Sequence, residues 1–238
     1  MTWLLGSVRD AEEARIAVAG GVDIVDLKEP AQGALGAVAP STVAACLAAV
    51  NGARPVSAVT GDLPMVPEQL TAAAEAMAAA GVDFVKVGLF ADPRRNACVA
   101  ALQQVAAKTR LIGVMFADAG YDPALVALLA TSGFAGAMID TADKAAGPLT
   151  AHLPVAALRG FVEACHCHGL LAGLAGSLTI ADVPSLLPLS PDFVGFRGAL
   201  CCGRRGDRVD PTAIRALRAL FDAPPAIERT RPRQTMAI

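Results

Sequence analysis

The chain has 238 residues and a mass of 24.2 kDa, is 54% hydrophobic and 18% charged, and has a mean hydropathy of +0.50, which suits a large core and excludes global disorder. A net charge of −2 and a pI near 5.9 give no electrostatic reason to expect a nucleic-acid partner or an anionic membrane surface. The longest charge-free stretch, 30–53, carries two prolines, Gln32, Asn51 and several glycines and does not read as a membrane span, and the N-terminus lacks a secretory pattern, so a cytoplasmic protein is expected.

Short β-rich runs alternate with alanine-rich helical stretches from end to end. A strand over 3–8 precedes a helix that Asp10 can cap, with Glu13 at the third helical position of a capping box and Gly20-Gly21 at its end. Next come a strand at 22–28 and a helix from Ser41, a strand at 55–60 and a helix from Pro67, and a strand at 82–89 and a helix from Asp92. The second half places strands at 111–116, 136–140, 170–174 and 193–196 before helices from Asp122, Pro154, Thr179 and Asp210. Eight such units call for a parallel sheet covered by helices, and predict a single-domain α/β protein over 1–222, a (β/α)8 TIM barrel. An open doubly wound sheet is the alternative, and the lack of a Gly-x-Gly-x-x-Gly fingerprint after the first strand counts against it. Residues 223–238, with three prolines and three arginines, read as a tail or as an arm onto a neighbouring subunit of a homo-oligomer.

Of the 20 basic residues only four are lysines, Lys28, Lys86, Lys108 and Lys144. Arginine serves wherever a positive charge suffices, so each lysine raises the question of whether its position needs an amine that can lose its proton. Active sites of such barrels lie at the carboxyl ends of the strands. The second strand ends Asp26-Leu27-Lys28, which puts Asp26 and Lys28 on one face; Lys86 interrupts an apolar fourth strand; the sixth strand ends at Asp140, with Lys144 in the following loop. Each lysine could instead snorkel to water, and Asp26 with Lys28 could be a purely structural ion pair. Lys108 lies at a helix end, where its charge answers the helix dipole. Amines crowded among one another and apolar walls have lowered pKa values and can form a Schiff base with a carbonyl, with Asp26 and Asp140 moving protons.

Glycine-rich loops follow strands seven and eight, where barrels of this kind bind phosphate. Gly173, Gly176, Ser177, Arg197 and Gly198 are the candidate phosphate-binding residues, although Arg197 could equally pair only with an acid. No cofactor or metal is expected: Cys165-His166-Cys167-His168 lies near a helix end, where successive side chains diverge. The six cysteines read as reduced thiols; Cys201 and Cys202 either line the site or pack as small groups, and His152 is near enough in sequence to carry a proton.

Several segments carry a resemblance. Residues 19–37, including Asp26-Leu-Lys28-Glu-Pro30, together with Phe84-Val-Lys86-Val-Gly-Leu89, Met138-Ile-Asp140-Thr-Ala-Asp-Lys144, 171–178 and 195–201, resemble the (5-formylfuran-3-yl)methyl phosphate synthase family over about residues 3–222. The resemblance implies a (β/α)8 barrel that condenses two molecules of glyceraldehyde 3-phosphate into a phosphorylated furan aldehyde, a methanofuran precursor, with release of phosphate and water. It implies catalytic roles for Lys28, Lys86, Lys144 and Asp140, and Asp26 matches the acid two residues before the first lysine. Lys28, at the end of a rigid strand, is the first choice for the Schiff base and Lys144 the second. Another Schiff-base barrel enzyme resembling a class I aldolase, or a noncatalytic barrel that binds phosphometabolites, are the competing readings.

Overall fold

A computed structural model describes residues 1–223; residues 224–238, and with them nearly all of the predicted tail, lie outside the described residues. Eight strands, β1 (Trp3–Val8), β2 (Ile24–Leu27), β3 (Val56–Val59), β4 (Phe84–Gly88), β5 (Arg110–Phe116), β6 (Gly136–Asp140), β7 (Leu171–Leu174) and β8 (Phe193–Phe196), close into one parallel barrel in sequence order. The predicted (β/α)8 architecture is therefore the observed one. The helices are α1 (Ala11–Gly20), α2 (Pro40–Val50), α3 (Pro67–Ala79), α4 (Arg95–Ala106), α5 (Leu125–Thr131), α6 (Leu149–His152), α7 (Val155–Cys167), α8 (Val183–Leu186) and α9 (Pro211–Asp222). None of the described helices is long and apolar enough to cross a membrane.

The helix starts follow the local chemistry read from the chain, with two informative departures. Asp10 accepts a hydrogen bond from the Glu13 amide, as a cap should, and Gly21 ends α1 in the left-handed conformation. The Glu13 carboxylate, however, does not complete a simple capping box: it accepts from the Arg9 amide and is fully buried against Arg197. The helix expected from Thr179 is broken into a 3-10 turn, Ile180–Asp182, and the single turn α8, because Pro184 and Pro188 interrupt it.

Packing occurs in two layers. Alternate strand residues such as Val25, Leu27, Val85, Val87 and Ile139 pack outward against the helices. Leu5, Ile24, Phe84, Ile112, Met138 and Phe193 fill the barrel interior. Three aspartates staple the N-terminal face: Asp23, Asp83 and Asp192 each precede an even-numbered strand and accept from the amide of Leu4, Val56 and Ala172, respectively, in the strand before it. The interior is thus apolar at its base, and the buried charges collect toward the carboxyl ends of the strands.

Candidate active site

The barrel mouth holds a cavity whose lining includes Lys28, Lys86, Asp140 and Lys144. Deepest is Asp26, which has no solvent exposure. Its Oδ1 lies 2.6 Å from Lys86 Nζ and accepts from the Ser57 hydroxyl at 2.6 Å, while Oδ2 accepts from the Ser7 hydroxyl at 2.8 Å. Strand register produces this arrangement, since Asp26 stands opposite Ser7 on one side and Ser57 on the other. Three donors on one carboxylate offset much of the cost of removing it from water.

A second carboxylate serves two amines. Asp140 Oδ1 lies 2.5 Å from Lys144 Nζ and accepts from the Thr141 amide at 2.7 Å; Oδ2 lies 3.4 Å from Lys28 Nζ. Lys144 also donates to the Thr141 carbonyl and hydroxyl. Burial alone would raise the Asp140 pKa, but the two ammonium groups beside it hold the carboxyl well below the usual carboxylate range. Burial lowers the Lys28 amine from 10.5 to about 8; Asp140 opposes that shift, and Lys144 and Lys86 reinforce it.

The structural ion pair weighed for Asp26 with Lys28 is replaced by partners across the barrel. Residues two apart along a strand stand about 7 Å apart, whereas the tilt of the strands carries Lys86 beside Asp26 and Asp140 beside Lys28. The loop bearing Lys144 is held on both sides: Asp118 accepts from the Ala142 and Asp143 amides, each at 2.7 Å, and the Ser177 hydroxyl donates to the Lys144 carbonyl at 3.1 Å. Gly176, with φ of +116°, packs so closely on Thr141 that a Cβ there would lie 2.9 Å from the Thr141 amide nitrogen.

The predicted phosphate-binding residues separate into groups. Gly176, Arg197 and Gly198 line the mouth. Gly173 does not serve as a loop glycine: it lies within β7, and the Phe193 ring occupies the space its side chain would need, 2.2 Å from an added Cβ. Ser177 uses its hydroxyl on the neighbouring loop. Arg197, of its two possible roles, pairs with an acid. Its Nε donates to the Arg205 carbonyl, Nη1 to Ser7 O and Glu13, and Nη2 to Glu13 and Asp207 O, so all five N–H bonds are engaged and a phosphate would find no free donor.

The 4-HFC-P synthase profile matches residues 4–218. The chain belongs to the 4-HFC-P synthase family. Among the relatives of this family member, a (5-formylfuran-3-yl)methyl phosphate synthase from Methanopyrus kandleri is 38% identical over 217 residues, covering 86% of this chain and 91% of that protein. The synthase of the same name from Methanococcus maripaludis strain C5 is 36% identical with the same coverage. Among solved structures, the phosphoribosyl anthranilate isomerase of Thermus thermophilus superposes with a TM-score of 0.66 at 18% identity, covering 93% of this chain and 98% of that one, a likeness of fold alone.

Reading the sequence of this 4-HFC-P synthase family member did not give Ser7, Ser57, Asp118 or Arg205 a role. Ser7 and Ser57 were detectable in principle as isolated polar residues in otherwise apolar strands. Elsewhere, Cys165 is buried, His166 lies 3.0 Å from Asp192, and Cys167 and His168 are exposed, so the four do not converge. Cys201 is buried with its thiol near the Arg197 and Asp207 carbonyls, in the packing role weighed for it, and Cys202 is exposed. The buried Nε2 of His152 has no hydrogen-bond partner among the described residues.

Proposed function

We propose that this chain condenses two molecules of glyceraldehyde 3-phosphate into (5-formylfuran-3-yl)methyl phosphate through a Schiff base on Lys28. The observation that carries the proposal is the contrast among the three amines at the mouth. Lys86 and Lys144 sit within 2.6 Å of a carboxylate oxygen, whereas Lys28 is held only at 3.4 Å and has a pKa of about 8. An amine titrating near neutrality supplies the lone pair that carbonyl addition requires.

The Lys28 nitrogen adds to the aldehyde carbon of one triose phosphate and water leaves, giving an iminium. Loss of the proton from its central carbon gives an enamine that expels the phosphate from the third carbon, leaving an enol with a nucleophilic terminal carbon. The second molecule shifts its carbonyl to the central carbon through an enediol, and that ketone carbon accepts the attack, which makes the branched carbon–carbon bond the product requires. The free hydroxymethyl group of the second molecule closes the ring on the neighbouring carbonyl, hydrolysis of the iminium returns Lys28 and leaves the formyl group, and loss of two waters completes the furan. Asp140, charged and next to both amines, receives and returns protons. Lys144 and Lys86 supply positive charge to the developing alkoxide and the leaving phosphate.

Borohydride reduction with glyceraldehyde 3-phosphate present, followed by peptide mass mapping, is expected to place an adduct on Lys28, with furan-aldehyde absorbance rising in the unreduced reaction. An adduct confined to Lys144 would reverse the two lysines' roles. An adduct without furan product would favour another aldolase-like enzyme, and ligand binding with neither would indicate a noncatalytic barrel.

A further inference from the structure

Before substrate arrives, the charges at the mouth nearly cancel. Lys86 faces Asp26, Lys144 faces Asp140 and Arg197 faces Glu13, while Lys28 must be neutral to attack a carbonyl. Two triose phosphates would each bring roughly −1.5 to −2 charges. That load exceeds what these compensated pairs can neutralise.

One more cation lines the cavity. Arg205, between β8 and α9, is half-buried, donating through Nη1 to the Pro30 carbonyl at 2.9 Å and through Nη2 to the Gly33 carbonyl at 3.2 Å. Among the described residues it has no carboxylate within salt-bridge distance. Two of its five N–H bonds therefore reach neutral carbonyls, leaving the Nε–H and one N–H on each terminal nitrogen for an anion. The turn around it selects this residue over its neighbour. Gly203 takes a φ of +144°, and Asp207 closes the turn by accepting from the Arg204 amide at 2.7 Å while donating its own amide to the Arg204 carbonyl. Arg204 is left exposed, and Arg205 lies across the loop that follows Lys28.

We infer that Arg205 is a phosphate-binding residue of the mouth, holding one substrate phosphate where the loops after β2 and β8 meet. The two carbonyl contacts fix the guanidinium plane and leave its outer edge for the paired hydrogen bonds that phosphate accepts. This inference rests on the reading of the substrate as a phosphorylated triose.

Calorimetric titration of inorganic phosphate into the full-length protein tests it without requiring turnover. Arg205→Gln is expected to weaken phosphate binding about tenfold or more, while Arg204→Gln, which removes the same charge from the same turn, binds as the wild type does. Borohydride trapping of unphosphorylated glyceraldehyde on Lys28 should be unchanged in Arg205→Gln. Wild-type protein that binds no phosphate, equal affinity in Arg205→Gln, or equal weakening in Arg204→Gln would overturn the inference. So would loss of glyceraldehyde trapping in Arg205→Gln, since Arg205 would then be only a structural tie for the loop beside Lys28. A protein that binds phosphate through Arg205 yet makes no formylfuran product would defeat the functional reading and leave this one standing.

Discussion

The two aspartates of the barrel mouth meet their amines under opposite conditions. Asp26 has three side-chain donors, Lys86, Ser57 and Ser7, and no exposure to water. Asp140 is shared between Lys144 at 2.5 Å and Lys28 at 3.4 Å, under a partly exposed loop. The saturated carboxylate gives a fixed pair, while the shared one leaves an amine loosely held. Each carboxylate accepts from three donors, so what separates the rigid support from the amine proposed to react is whether the carboxylate serves one lysine or is divided between two.

Removing the loosely held amine should have the largest effect. Lys28→Arg keeps the positive charge but cannot form a Schiff base, and kcat is expected to fall by on the order of a thousandfold or more, with no borohydride adduct and an unchanged circular dichroism spectrum. The two aspartates should then separate stability from turnover. Asp26→Asn leaves the Lys86 ammonium buried beside a neutral amide and is expected to cost about 3–5 kcal/mol in urea unfolding. Asp140→Asn should cost less stability, because Lys144 is partly exposed and keeps its contacts to Thr141, yet lower kcat more than Asp26→Asn does.

The pH dependence sharpens the same contrast. As the proposed nucleophile, Lys28 reacts only when neutral, so kcat/KM should rise with pH toward about 8 and then level off. Asp140→Asn removes the anion that favours the ammonium form, and the rising limb should move to lower pH. Stability should follow the same group. Because its folded pKa of about 8 lies below the ordinary 10.5, the unfolded chain binds more protons between those values, so stability rises with pH across that window. The burial penalty, about 3 kcal/mol, is fully present below pH 8 and gone above 10.5, and the stability gap between wild type and Lys28→Met should change by about that amount. Ser57→Ala is the mildest perturbation: Asp26 keeps Lys86 and Ser7, and a loss of about 1 kcal/mol is expected in the same urea measurement.

Much of this was legible in the chain. Strands over 3–8, 136–140 and 193–196 are observed at the residues expected, because each is a short, mostly apolar run set ahead of a helical stretch. The convergence of Lys28, Lys86 and Lys144 followed from period-two alternation and the rule that carboxyl ends form the mouth. Their partners did not follow, since periodicity describes one strand while pairing depends on the tilt that sets strands against one another. Arg197 was ambiguous for the same reason: its partner Glu13 lies 184 residues away on a helix whose capping pattern already accounted for it. Arg205 gave no signal at all, being one of several arginines in a glycine-flanked turn.

The weak Lys28 contact also bears on the order in which the site can come into being. Asp26, Lys86 and both supporting serines belong to the first four strands, and Lys144 stands one helical turn's distance in sequence from Asp140. Of the three lysine–aspartate pairs at the mouth, only Lys28 with Asp140, 112 residues apart, joins the two halves of the barrel. As the chain is synthesised, the deep pair can form while the second half is still missing, and Lys28 has no counter-charge until β6 is in place. The tuning of this amine is thus a property of the closed ring, and a half-built barrel would carry Lys28 without the surroundings that set its pKa.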